Sequence, residues 1–184
     1  FQRGKVRDLY NLGAELLIVS TDRISAFDFV LPSGVPEKGR VLNQMSAFWF
    51  RKTAHIMQNH MIESLDTPDS VERLSARLGL KQPLPAYLAG RSMVVRKASR
   101  IPVECVVRGY LSGSAWAEYK AHGTVNGAAM PAGILESAQL PRPLFTPTTK
   151  SETEHDRPLT ERDVEELGLR RHMSALEEAT RTIY

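Results

Sequence analysis

The chain is poor in cysteine and aromatics, with one Cys, two Trp and 7% aromatic residues overall. A single cysteine excludes an internal disulfide framework and fits a reducing cytoplasm. No run of about eighteen apolar residues is present, so the sequence offers no membrane-spanning helix. The first residues, Phe1-Gln-Arg-Gly-Lys5, contain neither an apolar signal core nor an initiator methionine. Charge of one sign is barely in excess: 24 Lys and Arg against 21 Asp and Glu leave +3. That balance suits an anionic small-molecule substrate and is too small and dispersed to point to nucleic acid. What is present is ordinary for a globular protein: 184 residues, 42% hydrophobic and 24% charged, enough for one large or two small domains. Internal repeats and low-complexity tracts are missing as well.

Local patterns set out the elements. Residues 5–9 and 15–20 read as strands joined by a turn at Asn11-Leu-Gly13. A polar loop over 20–28 and a short apolar run, Phe29-Val-Leu31, come next. An amphipathic helix is expected from about Leu42 to Asn59. Leu42, Met45, Phe48, Trp49, Ile56 and Met57 form its core face. A shorter helix uses Val71, Leu74 and Leu78 and ends at Gly79. Strands are expected over Ser92–Lys97 and Val103–Arg108, then a helix at 114–121. Residues 123–159 are rich in Gly and Pro with little periodicity and read as a long loop, functional or disordered. Thr160-Glu-Arg-Asp163 reads as a capping box starting a helix that Gly168 closes. Arg170–Tyr184 is a last amphipathic helix with Met173, Leu176, Thr180 and Ile183 on one face.

The densest chemistry lies in Ile101-Pro-Val-Glu-Cys-Val-Val-Arg-Gly-Tyr-Leu-Ser-Gly-Ser114. An apolar strand carries one arginine and breaks into a Gly-Ser turn that opens a helix. Helix-start amides, two hydroxyls and a guanidinium together suit a phosphate monoester. A core strand ending in an ordinary helix cap accounts for any one of these residues alone. Arg108 at the end of an apolar strand needs a partner, because burying it unpaired is costly; a salt bridge to Glu104 is the bland alternative. Cys105 reads as packing. His55 and His60 lack metal-ligand spacing and receive no role.

This string resembles the signature of SAICAR synthetase, the purine-pathway ligase that joins aspartate to carboxyaminoimidazole ribonucleotide (CAIR). Four further segments resemble that family in its order: Gly4-Lys-Val-Arg-Asp-Leu-Tyr10, Asp22-Arg-Ile-Ser-Ala-Phe-Asp28, Pro36-Glu-Lys-Gly-Arg-Val-Leu-Asn43, and Phe145-Thr-Pro-Thr-Thr-Lys-Ser-Glu-Thr-Glu-His-Asp156. Ser112 stands where the family has threonine or alanine, and Arg100 where an apolar residue is more common. The family's second signature, an Asp-x-Lys-x-Glu-Phe-Gly strand carrying magnesium-binding carboxylates, is not in the chain. With the uncapped last helix, this gives the expectation of a chain truncated at both ends.

The resemblance implies an α+β, two-lobe fold that is kinase-like and related to ATP-grasp enzymes. A small antiparallel nucleotide-covering lobe spans 1–97, and part of a mixed α/β lobe carrying the substrate strand, turn and long loop spans 98–184, with substrates in the cleft between. It also implies the reaction of CAIR, L-aspartate and ATP with Mg2+ to give SAICAR, ADP and phosphate. Gly4, Lys5, Val6 and Arg7 would cover the ATP phosphates, with Lys5 and Arg7 sharing a strand face; taken bare, one glycine and two basic residues usually mean a solvated strand. Arg108, Gly113 and Ser114 would meet the phosphate of CAIR, and Ser25 and Asp28 its imidazole side, where an Asx-type turn is the alternative. Lys150 would lie near the transferred phosphate, and His155 and Asp156 near aspartate or metal; a polar surface loop is the alternative. The metal ligands are unknown, as is the oligomeric state. Two rival functions remain: a kinase-like phosphotransferase acting on another anion, and a nucleotide- or CAIR-binding fragment without turnover.

Overall fold

The computed structural model describes residues 1–27, 29–150 and 157–184. The chain divides into two compact units, Phe1–Ser99 and Arg100–Tyr184. Among the described residues every strand pair is antiparallel, and helices are set between runs of strands, so the chain is α+β as expected.

In the first unit, β1 (Gln2–Arg3) turns back into β2 (Arg7–Asn11), and β2 pairs with β3 (Glu15–Ser20) in the register Leu9↔Ile18. The expected first strand therefore lies two residues later, because 4–6 form the turn of an additional hairpin. Lys5 sits in that turn and Arg7 opens the strand, so the two do not share a strand face. A small hairpin follows, β4 (Ser25–Ala26) with β5 (Phe29–Val30). Then come α1 (Lys38–Lys52), β6 (Met61–Ser64), α2 (Pro68–Arg77) and β7 (Ser92–Arg96). The main sheet has the order β1-β2-β3-β7-β6.

Period-two alternation in β3 and β7 sends Leu17, Val19 and Val94 into one cluster with Leu65, Val71, Leu74 and Leu88. Each such side chain contributes roughly 1.5–3 kcal/mol by leaving water. Helix α2 starts at a capping box formed by Thr67 and Ser70, with Pro68 at its first turn.

Helix α1 departs from expectation in both length and facing. It begins four residues early and stops at Lys52, where Thr53 Oγ1 donates back to Trp49 O and Asn59 Nδ2 donates to Phe50 O. Its buried residues are Gly39, Asn43 and Ala47, while Leu42, Met45, Phe48 and Trp49 are 37%, 53%, 53% and 46% exposed. Small residues let the helix lie close to the sheet: a Cβ at Gly39 would overlap the Ser20 carbonyl. The buried Asn43 amide donates to the carbonyls of Gly90 and Ser92, joining α1 to β7. Apolar periodicity marked a face, and backbone proximity selected a different one. Strand β6 carried no readable signal, since its four residues are Met-Ile-Glu-Ser.

In the second unit, β8 (Val103–Glu104) and β9 (Val107–Tyr110) lead into α3 (Gly113–His122). The described residues of the expected long loop form short ladders instead: β10 (Thr124–Val125) with β11 (Ala128–Ala129), β12 (Gln139–Phe145) with β9, and β13 (Thr148–Thr149) with β8. Strand β12 escaped notice because Pro141 and Pro143 interrupt it and it is exposed through its middle. Its pairing with β9 is correspondingly irregular between Gln139 and Leu144. Helices α4 (Glu161–Glu166) and α5 (Met173–Ile183) follow, α4 opening at the expected capping box of Thr160 and Asp163. One core cluster gathers Leu111, Ala115, Val125 and Leu140 around α3, and another gathers Leu159, Val164 and Leu169. Cys105 is half-buried rather than fully packed, and burial pushes its thiol up, which disfavours the thiolate. Among the described residues no helix is long and apolar enough to cross a membrane.

Candidate functional site

Arg108 is carried by β9, whose register with β12 places it opposite Leu144. Its Nε donates to Thr146 Oγ1 at 3.1 Å and its Nη2 donates to Ser114 Oγ at 3.1 Å. Thr146 is 4% exposed and fixed by its own backbone, whose N–H donates to Val106 O at 2.8 Å. Ser114 lies in the first turn of α3, one residue after Gly113, so the guanidinium is held between a buried threonine and a helix start. Glu104 is not its partner. That carboxylate faces Lys150 Nζ at 3.5 Å, across the β8–β13 ladder that pairs Glu104 with Thr148.

These groups border a cavity of about 290 Å3 lined by Arg108, Ser114, Glu118, Asn126, Thr146 and Thr148, among others. Glu118 shapes one wall. It accepts from Thr124 Oγ1 at 2.8 Å and from the Asn126 and Gly127 amides at 2.9 Å each, fixing the turn between β10 and β11. Burial pushes its carboxyl up, but these three donors outweigh burial and hold it below the usual glutamate value. An arginine, a hydroxyl and a helix start around one cavity form a receptor for a compact anion. Thr146, Glu118 and Asn126 were missed by sequence reasoning. Thr146 lies in the Thr-Pro-Thr-Thr-Lys segment already singled out, but nothing in its spacing tied it to Arg108, 38 positions away.

The first unit holds the other candidates. Gly4, Lys5 and Val6 form the tight turn, closed by Gly4 N–H to Arg7 O at 2.8 Å. A Cβ at Gly4 would meet that same Arg7 oxygen at 2.8 Å, so the turn depends on glycine. Ser25 sits in the β4–β5 hairpin opposite Val30. Asp28, His155 and Asp156 lie outside the described residues.

Three residues before Ser25, Asp22 organises the start of α1. Its Oδ1 accepts from Gly39 N at 2.9 Å and from Arg91 Nη1 at 3.1 Å, and Oδ2 accepts from Glu37 N at 3.3 Å. The Gly39 amide above all, with Arg91 and Glu37 adding, holds this carboxyl below the ordinary aspartate value against the opposing effect of burial. His60 is pushed down by burial and by the nearby Arg7 charge. Among the described residues no group of three or more His, Cys, Asp or Glu side chains could hold a metal ion.

Residues 1–184 match the family model for SAICAR synthetase. A phosphoribosylaminoimidazole-succinocarboxamide synthase of Thermodesulfovibrio yellowstonii is 52% identical over 158 residues, covering 84% of this chain and 50% of that protein. One from Geobacter metallireducens is 50% identical over 170 residues, covering 90% of this chain and 54% of that protein. A solved structure described as SAICAR-synthase from Saccharomyces cerevisiae complexed with SAICAR aligns with a TM-score of 0.78 at 36% identity. It covers 100% of this chain and 60% of that one. The chain thus spans about half the length of the curated relatives it matches.

Proposed function

The chain belongs to the SAICAR synthetase family, and from this we propose that it supplies the nucleotide and ribonucleotide sites of an ATP-dependent ligase joining L-aspartate to CAIR. The observation that carries the reading is the Arg108 guanidinium, held by Thr146 and Ser114 at the edge of a cavity fit for a phosphate monoester. The Saccharomyces relative, solved with SAICAR, lends a ligand of that chemical class.

A carboxylate resists attack because an oxide would have to leave an already anionic carbon. In the proposed reaction a carboxylate oxygen of CAIR attacks the γ-phosphorus of ATP, and ADP departs with the bridging oxygen and its electron pair. The aspartate amine then attacks the acyl carbon, phosphate leaves, and the amine gives up a proton as the amide forms. The chain's contribution is binding and orientation of anions. Arg108, Ser114 and the Gly113 amide receive the phosphate of CAIR, and Ser25 and Asp28 serve its imidazole side. The turn over Gly4, Lys5, Val6 and Arg7 covers the ATP phosphates. Lys150 is drawn from Glu104 to the transferred phosphoryl group, with Asp156 assigned to the aspartate side. The family implies Mg2+; among the described residues no group of three or more His, Cys, Asp or Glu side chains could hold a metal ion, and no step here runs through one. The reading places the protein in the cytoplasm.

A second reading is ligand binding without turnover. ADP release with Mg-ATP, CAIR and L-aspartate, each omitted in turn, separates the two. Release that needs all three establishes the ligase. Saturable CAIR binding that Arg108→Ala abolishes, without ADP release, establishes the binding fragment. The absence of both ADP release and CAIR binding overturns both readings.

A further inference from the structure

Thr21 and Arg23 are spent on the turn over Gly4–Arg7. Thr21 donates twice to Val6 O, from its N–H at 3.0 Å and from Oγ1 at 2.9 Å. Arg23 donates from Nη2 to Gly4 O at 3.0 Å and from Nε to Lys5 O at 3.2 Å. The rest of the guanidinium grips Asp8, with Nη1 to Oδ2 at 3.2 Å and Nη2 to Oδ1 at 2.5 Å. Both side chains are largely buried, at 20% and 16% exposure. Lys38 Nζ at the start of α1 donates to Arg23 O at 3.1 Å, so the anchor is itself anchored.

Three successive carbonyls are thus bound from one loop, and two of them by one planar group. In a trans peptide the C=O of one residue and the N–H of the next point in opposite directions, and the described chain contains no cis bond. Holding the Gly4 and Lys5 carbonyls toward Arg23 therefore turns the Lys5 and Val6 N–H groups to the opposite side. Successive backbone N–H groups on one side are the arrangement that receives anions. An arginine is required because its fork reaches two carbonyls and a carboxylate at once, whereas a lysine ammonium is a point charge on a flexible stem.

We propose that Arg23 is a positioning residue for the nucleotide: by holding the Gly4 and Lys5 carbonyls it presents the Lys5 and Val6 amides to the phosphate groups. This rests on reading residues 4–7 as the phosphate-covering turn. Thr21, Asp22 and Arg23 then form one brace, in which Asp22 fixes the start of α1 and its two neighbours fix the turn.

The test is calorimetric titration of Mg-ATP and of adenosine into the unmodified chain, Arg23→Lys and Asp8→Asn. Arg23→Lys is expected to weaken Mg-ATP by about tenfold or more, as for loss of charge-assisted bonds, and to leave adenosine within about twofold. Asp8→Asn removes the ion pair but not the carbonyl bonds, so Mg-ATP affinity stays within about threefold even where thermal stability falls as far as in Arg23→Lys. Equal weakening of Mg-ATP and adenosine in Arg23→Lys, unchanged Mg-ATP affinity there, or equal loss in both variants overturns the inference and leaves the nucleotide site standing. If the unmodified chain binds neither ligand, the phosphate-covering reading fails, and the inference falls with it.

Discussion

Arg108 and Thr146 meet through a 3.1 Å bond from Nε to Oγ1, across 38 residues of chain, and the threonine is 4% exposed. A buried hydroxyl with a fixed backbone is a rigid acceptor, so the bond sets the plane of the guanidinium before any ligand arrives. Preorganisation of this kind lowers the ordering cost of binding.

Thr146→Val keeps the shape and removes the acceptor. On the proposed reading it is expected to weaken CAIR about tenfold in a binding titration, while unfolding stability falls by only about 1 kcal/mol. CAIR affinity equal to that of the unmodified chain would show that Ser114 alone suffices.

Gly39→Ala tests the close approach of α1 to the Ser20 carbonyl, where a Cβ has no room. A loss of about 1–3 kcal/mol is expected from urea unfolding, the range for overpacked sites. An unchanged midpoint would mean that α1 shifts at no cost. The Asp22 bond to Gly39 N–H argues against such a shift.

Glu118 lies below its ordinary value in the folded chain, so it binds a proton less readily there than when unfolded. Its stabilisation is fully present above the unfolded value and is lost as pH falls through the folded one. Glu118→Gln should therefore flatten the acid limb of the stability–pH curve and loosen the 124–127 turn, read as faster amide exchange at Asn126 and Gly127. A variant whose acid limb matches the parent's would remove Glu118 from this role.

Asp163 is strongly depressed, first by Arg157 and then by the Thr160 hydroxyl and amide that complete the capping box. The sign is the same: its stabilisation holds above the ordinary aspartate value and fades below it. Carboxyl NMR should find this group still ionised in acid where other aspartates have titrated. Thr160→Ala should cost about 1 kcal/mol through loss of the cap.

Where a feature is local, it was legible in the residues. The capping box at Thr160, the β2–β3 hairpin, the α2 face and the Arg-Gly-x-x-Ser-Gly-Ser string of β9 and α3 each rest on neighbours within a few positions. Backbone dihedrals and short spacings govern such features, and the amino acids state them directly. The facing of α1 was misread because Met45, Phe48 and Trp49 have the right periodicity, yet the sheet accepts Gly39, Asn43 and Ala47, whose small or hydrogen-bonding side chains permit closer contact. Strand β12 was hidden because its prolines and exposed residues carry no alternation.

The sequence by itself determined the family and the α+β class and singled out Arg108, since these live in ordered strings of residues. Only the tertiary structure decided what holds that arginine and what shapes the Gly4 turn. Thr146 reaches Arg108 and Arg23 reaches Gly4 through folding that joins positions far apart in the chain, and no periodicity encodes a contact between segments that merely end up adjacent.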